Sequence, residues 1–454
     1  MRSLPFLLSG LALALALAAA ACGGDDAATP FTPTIIPGGG VHDPGIDGTV
    51  AVYVVDGDSD APVAGATALI GGVEVVTDAT GLARFDGVTG PQTIAIKAPG
   101  YATTMWVGVD GANVTVPIDH TPAPITPPGQ ALLSGTITGW SALPPPDPQH
   151  GRYAFISYSQ DPTLGSRAND IMQPPSMGLP AASCSRLPGT STPCNWRLNA
   201  RAGAIALGVI VIDVDNRGTG DPTDDAPVVT GYSVTPINVE AGRNQSGLML
   251  NAVPADSGVR PTVDLGTPPP GLTQTAAAIS LDLGAAGVLR FGRVDPTRAG
   301  AIIPSLALAP GATWELIAVA QEPVADGTAA RSIVVRRGLT DPTAFNAGAW
   351  LPPPTGLATD RTMVSFTRSR AESPYAVEFI DQALGVEGRK LMSIAILDAS
   401  SQVGLPTTFA PLGADPLTMT VTNLDAGAID LRDFEADQLT HDAVGFASET
   451  IAVP

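Results

Sequence analysis

Charge is scarce in this chain. Charged residues make up 15% of it, and lysine is very rare, where a globular domain normally has about a quarter of its residues charged. Long surface helices use lysine and glutamate freely, so this scarcity excludes an architecture built on them. Histidine is limited to four residues and cysteine to three, too few for a cysteine-dense scaffold. Several chemistries lack their motifs. There is no H-E-x-x-H zinc helix, no G-x-S-x-G nucleophile elbow, no P-loop and no dinucleotide fingerprint after a strand. Beyond the N-terminal segment, no apolar run approaches the roughly 18 residues that span a membrane.

Glycine (50) and proline (44) are abundant in the 454 residues, and 44% of the chain is apolar. Glycine costs a helix backbone entropy and proline removes an N–H donor, while the apolar fraction is enough for real cores. The expected fold class is therefore all-β: short strands joined by Gly/Pro turns into tandem β-sandwich domains. At roughly 100–200 residues per domain the length predicts two to four of them. The net charge of −20 disfavours nucleic acid as a partner. It solubilises the surface; attraction of Ca²⁺ or a cationic partner is the alternative reading.

Residues 1–22 read MRSLPFLLSGLALALALAAAAC. Arg2 gives a short positive region, Leu4 to Leu17 an apolar one, and Ala19-Ala20-Ala21 the small residues of a cleavage site. This predicts a signal peptide over 1–21. Ala-Ala-Ala-Cys resembles the bacterial lipobox, with Ala19 where leucine is usual. The resemblance implies lipid on Cys22 and a membrane as partner; cleavage near Ala21 with ordinary secretion is the alternative. Gly23 stands where an aspartate would favour inner-membrane retention, so resemblance to that sorting rule implies the outer membrane. Residues 22–47, rich in Gly, Pro, Thr and Ala, are expected to form a lipidated flexible tether.

Over 48–120, strands are expected at Val50–Val55, Ala66–Ile70, Val73–Thr77, Ala83–Phe85, Thr93–Lys97 and Val114–Ile118, with Gly71-Gly72 as a hairpin turn. Asp56, Asp58 and Asp60 in the first turn are either a Ca²⁺ site or a solvated tip. Gly65-Ala66, then Thr77-Asp78-x-x-Gly81-x-Ala83-x-Phe85, then Gly100-Tyr101 resembles the carboxypeptidase regulatory-like domain. The resemblance implies a transthyretin-like sandwich of seven strands acting as a structural or binding module, with Phe85 in the core and Tyr101 packed on it. It carries no peptidase activity across.

A Pro-rich boundary at Pro122–Gly129 precedes a second β-domain over 129–255, with strands at Ala131–Thr138, Arg152–Ser157 and Gly203–Asp213. The last of these is near-continuously apolar, as in a strand buried on both faces. A long irregular loop from Ser159 to Asn199 holds Cys184 and Cys194, an expected disulfide. Asp213, Asp215, Asn216 and Asp221 are the calcium candidate, weakened by Arg217 in a ligand position; a polar hairpin loop is the alternative. Residues 256–454 form a C-terminal β-region, one unit or two (256–350 and 351–454). PPPGL at 268–272 recurs there as PPPTGL at 352–357, and Ile429–Gln438 has the pattern of a short helix.

No other cofactor is indicated. The histidines, His42, His120, His150 and His441, show no ligand spacing, and His441-Asp442 is read as surface. Trp106, Trp140, Trp196, Trp314 and Trp350 are either core residues or parts of a sugar platform. The expected function is non-enzymatic: a lipid-anchored envelope protein binding another envelope protein or a glycan, or acting as a scaffold. The alternatives are an envelope hydrolase with a site assembled in 130–454 and a calcium-stabilised adhesin.

Overall fold

The structure, a computed structural model, describes residues 41–42, 45–57, 60–121, 129–139, 143, 150–159, 182–186, 194–215, 226–255, 258–294, 303–323, 329–381, 389–427 and 444–453. The signal peptide, most of the tether and the helix expected at Ile429–Gln438 lie outside these residues. Within them the chain is all-β, with 28 strands.

The first unit contains β1 (Asp47–Asp56), β2 (Thr67–Ile70), β3 (Val73–Val76), β4 (Leu82–Thr89), β5 (Gln92–Lys97), β6 (Thr103–Val109) and β7 (Asn113–Ile118). Strands β4-β1-β7 form one sheet and β6-β5-β2-β3 lie opposite. Val50, Val52 and Val54 alternate inwards from β1 to meet Phe85, Ile94, Ile96 and Trp106. Gly71 and Gly72 have φ of 57° and 85°. Positive φ at both turn residues closes a two-residue hairpin with the twist of its strands.

The second unit contains β8 (Gln130–Thr138), β9 (His150–Tyr158), β10 (Ala182–Arg186), β11 (Cys194–Arg201), β12 (Gly203–Asp215), β13 (Ala226–Val239), β14 (Gln245–Asn251) and β15 (Val253–Pro254). Its sheets are β10-β9-β12-β13-β15 and β11-β8-β14. The expected irregular loop from Ser159 to Asn199 is corrected in part, because β10 and most of β11 fall inside it. Along β11, Cys194, Trp196, Leu198 and Ala200 are buried and the residues between them exposed, a strict two-residue period. Strand β12 is covered on both faces, as its apolar run predicts: Ile205, Leu207, Val209 and Val211 fill its own sandwich, while Ile210 packs on the third unit.

The third unit contains β16 (Thr262–Asp264), β17 (Gln274–Asp282), β18 (Val288–Val294), β19 (Thr313–Gln321), β20 (Arg331–Leu339) and β21 (Ala344–Asn346). The fourth contains β22 (Thr355–Thr359), β23 (Met363–Thr367), β24 (Tyr375–Asp381), β25 (Arg389–Ile396), β26 (Gln402–Gly404), β27 (Leu417–Asp425) and β28 (Gly445–Val453).

The units are consecutive in sequence and differently arranged in space. One 12-stranded sheet runs β18-β17-β19-β20-β28-β27-β24-β25-β6-β5-β2-β3. The first unit thus continues the sheet of the fourth, through a parallel pairing of Thr103–Val107 with Met392–Ile396. The covering layers change sides at this seam. Met105 and Val107 face the core of the fourth unit, roofed by β22-β23-β26, whereas Trp106 faces the core of the first.

Gly108 follows the paired run with φ +85°, and a Cβ there would lie 2.6 Å from Cβ of Asp398. Gly108→Val is therefore expected to cost about 1–3 kcal/mol through overpacking, more with the left-handed backbone. Chemical denaturation checks this. An unchanged midpoint would mean that the two units do not approach so closely.

Candidate functional site

Of the residues proposed as calcium ligands, Asp213 is the one whose side chain is described, and the structure corrects its role. Asp213 stands opposite Arg152 in the β9–β12 ladder. Arg152 Nε donates to Oδ1 at 2.6 Å and Nη2 to Oδ2 at 2.7 Å, with both side chains buried. The carboxylate is neutralised by a bidentate guanidinium and not presented to an ion. The side chain of Asp215, and Asn216 and Asp221 entirely, lie outside the described residues. At the first turn, Asp58 is also outside them. Asp56 is buried and accepts from Tyr101 Oη at 2.7 Å, with His120 Nε2 at 2.6 Å. Tyr101 stacks on His120, their centroids 4.3 Å apart, and also packs against the core cluster that holds Phe85, as expected.

Cys194 is buried and disulfide-bonded. Cys184 lies in β10 opposite Ala154, and its side chain is outside the described residues, as are those of His150 and His441. His42 pairs with Asp110. Trp106, Trp196, Trp314 and Trp350 are all buried, and the Trp350 indole donates to the Leu265 carbonyl at 2.6 Å. These four are core residues; Trp140 is outside the described residues. Among the described residues no three His, Cys, Asp or Glu side chains converge as a metal site.

The polar features that do converge flank the β6–β25 seam. At its Thr103 end, Lys390 Nζ contacts Glu378 Oε1 at 2.7 Å and Asp119 Oδ2 at 2.9 Å, joining the fourth unit to the end of the first. Burial alone would lower the Lys390 ammonium; the Glu378 and Asp119 carboxylates outweigh it and hold it above its ordinary range. Lys97 Nζ, on β5, donates to the Phe409 carbonyl at 3.2 Å and lies 3.9 Å from the centre of the Phe409 ring. The chain has two lysines, and both join the first unit to the fourth. The sequence signal for this was their rarity.

At the Val107 end a cleft of about 290 Å³ opens between the two units. Met105, Val107 and Val403 form its buried floor, with Thr93, Asp398 and Gln402 at the exposed rim. Asp398 is held in place: its carbonyl accepts from Arg368 Nη1 at 2.9 Å, and its Oδ1 accepts from the Ser400 amide at 2.9 Å. Arg368 also donates to the carbonyls of Ser400, Ala371 and Ser373, fixing the loops on both sides. No sequence motif announced this cleft, because each wall comes from a different unit.

A turn device recurs along the chain as Asp-x-Thr. The Asp78, Asp341 and Asp360 carboxylates each accept from the hydroxyl and the amide of the threonine two residues on, at 2.6–2.8 Å. These hydrogen bonds hold each carboxyl below its ordinary range.

No protein-family model and no curated protein matches the chain. Solved structures align with it distantly. The Bacillus anthracis TIE protein is 8% identical over 66% of this chain and 50% of that one, with a TM-score of 0.14. A putative carbohydrate binding protein from Bacteroides uniformis is 11% identical over 43% of this chain and all of that one, TM-score 0.14. BcpA, the major pilin subunit of Bacillus cereus, is 10% identical over 78% of this chain and 99% of that one, TM-score 0.13. The chain spans about half the length of the TIE protein. At these values the likenesses bear no weight for activity.

Two outcomes are expected. Arg152→Met alone should cost about 3–5 kcal/mol by leaving a buried carboxylate unpaired, while Arg152→Met with Asp213→Leu should cost far less; a double-mutant cycle in denaturant checks this. Because the Asp78, Asp341 and Asp360 carboxyls titrate lower when folded, the stability they add is present above the unfolded pKa, about 4. It is lost as pH falls through their folded values. A thermal midpoint measured against pH should therefore fall less steeply in acid for Asp78→Asn/Asp341→Asn/Asp360→Asn than for the wild type.

Proposed function

We propose that this chain is a lipid-anchored protein of the bacterial cell envelope that works as a binding and scaffold module, without catalysis. The observation that carries the reading is the 12-stranded sheet, which joins three of the four units edge to edge. Such a sheet resists bending between units and suits a protein that holds binding surfaces at fixed spacing. The N-terminal sequence supports the rest: a signal peptide over 1–21, acyl chains on Cys22 in the outer membrane, and a tether over 22–47 that sets the module off the surface. Its partners are the membrane, through Cys22, and an envelope protein or glycan. The first unit, with seven strands in two sheets, is read as a carboxypeptidase regulatory-like module. Cys184 is the proposed partner of Cys194; their bond would tie β10 in one sheet of the second unit to β11 in the other.

Mass spectrometry of the protein purified from its native membrane, beside Cys22→Ala, tests the anchor. The expected result is a diacyl or triacyl mass on Cys22, with the variant released from the membrane. An unmodified mature chain in the medium would remove the anchor, and the envelope assignment with it.

A further inference from the structure

We propose that the cleft at the β6–β25 seam binds one neutral pyranose residue of a glycan. The inference rests on the reading of the chain as a binding module and names its ligand class.

Size sets the first limit. At about 290 Å³ the cleft is at the lower end of ligand sites, which run from roughly 300 Å³ upwards. That is room for one ring, with any further sugar left outside. The floor sets the second. Met105, Val107 and Val403 beneath the cleft are almost wholly buried in the core of the fourth unit, so the surface left to a ligand is mostly polar and, Asp398 apart, uncharged, which suits a hydroxylated ring over an apolar or strongly charged group. The rim sets the third. Thr93, Ser400 and Gln402 each carry groups that both donate and accept, and Asp398 only accepts. Sugar hydroxyls, each a donor and an acceptor, supply both roles. An anion would meet the Asp398 carboxylate and a chain of net charge −20. A cation would find a single charged lining residue, Asp398, on an otherwise neutral wall. Asp398 is fixed through Arg368 and the Ser400 amide, so little ordering is left to be done on binding. Because the floor comes from β6 and β26 and the rim from both units, a bound ring also bridges the units and favours their docked arrangement.

The test is calorimetry on the full mature chain with the methyl glycosides of glucose, galactose, mannose and N-acetylglucosamine, and with putrescine and glucuronate as charged comparators. At least one neutral glycoside should bind saturably and raise the thermal midpoint. Asp398→Asn and Gln402→Ala should each weaken that binding by about tenfold or more, as loss of one hydrogen bond with a charged or amide group implies, while the ligand-free midpoint stays put. The proposal is overturned if no neutral glycoside binds, if binding survives both substitutions, or if putrescine or glucuronate binds in preference. Membrane retention through Cys22 is measured on the same variants. Retention without sugar binding sinks this inference alone. Sugar binding lost in both variants by a chain that is never retained supports the cleft and sinks the anchored reading.

Discussion

A short run of parallel backbone pairing, Thr103–Val107 against Met392–Ile396, holds the first unit to the last. Parallel pairs are stable where both faces of the sheet are covered. Here the cover comes from two sides at once: β4-β1-β7 over one face and β22-β23-β26 over the other. The inward set is therefore divided, with Trp106 to one core and Met105 and Val107 to the other. A slip of one residue would exchange those sets, so the packing of two cores fixes the register of one pairing. The lysine bridges, the aspartate-lined cleft and the length of the sheet all depend on that register.

The all-β class was legible in the sequence because it follows from composition: too little charge for surface helices, and glycine and proline enough to turn many strands. The first hairpin was legible in Gly71-Gly72, and the depth of β12 in its unbroken apolar run. The seam was not legible. Strand β6, Thr-Thr-Met-Trp-Val-Gly-Val, is buried on both faces and shows no alternation, and its partner lies in the last unit. Strand β11 does alternate, but its outward asparagines and arginines sit in a stretch that composition assigns to loop. The bond between Arg152 and Asp213 exists only in the register of β9 with β12, so the sequence left Asp213 looking like a ligand. Tryptophan identity alone could not separate core from platform; strand register sends Trp106, Trp196 and Trp314 inwards, and Trp350 is buried from the segment after β21.

The topology also sets an order of events. As the chain is made from its N-terminus, β6 exists long before β25, with two intervening units still to come. An unpaired edge strand is a template for wrong partners, and pairing between distant segments is slow to form. Val73 and Val76, exposed on the strand at the end of the same sheet, add a second such edge, with Glu74 between them as a charge that opposes self-pairing.

The rarity of lysine takes on a meaning at the joint that it lacks elsewhere. Most proteins carry side-chain amines over their whole surface, so an acylating reagent or an amine-directed dye attaches at random. This chain offers two such amines, and each crosses from one unit to another. Acylation would remove charge from a single joint and leave the rest of the surface untouched, so the rate at which these amines react is a direct readout of how often the first and last units part.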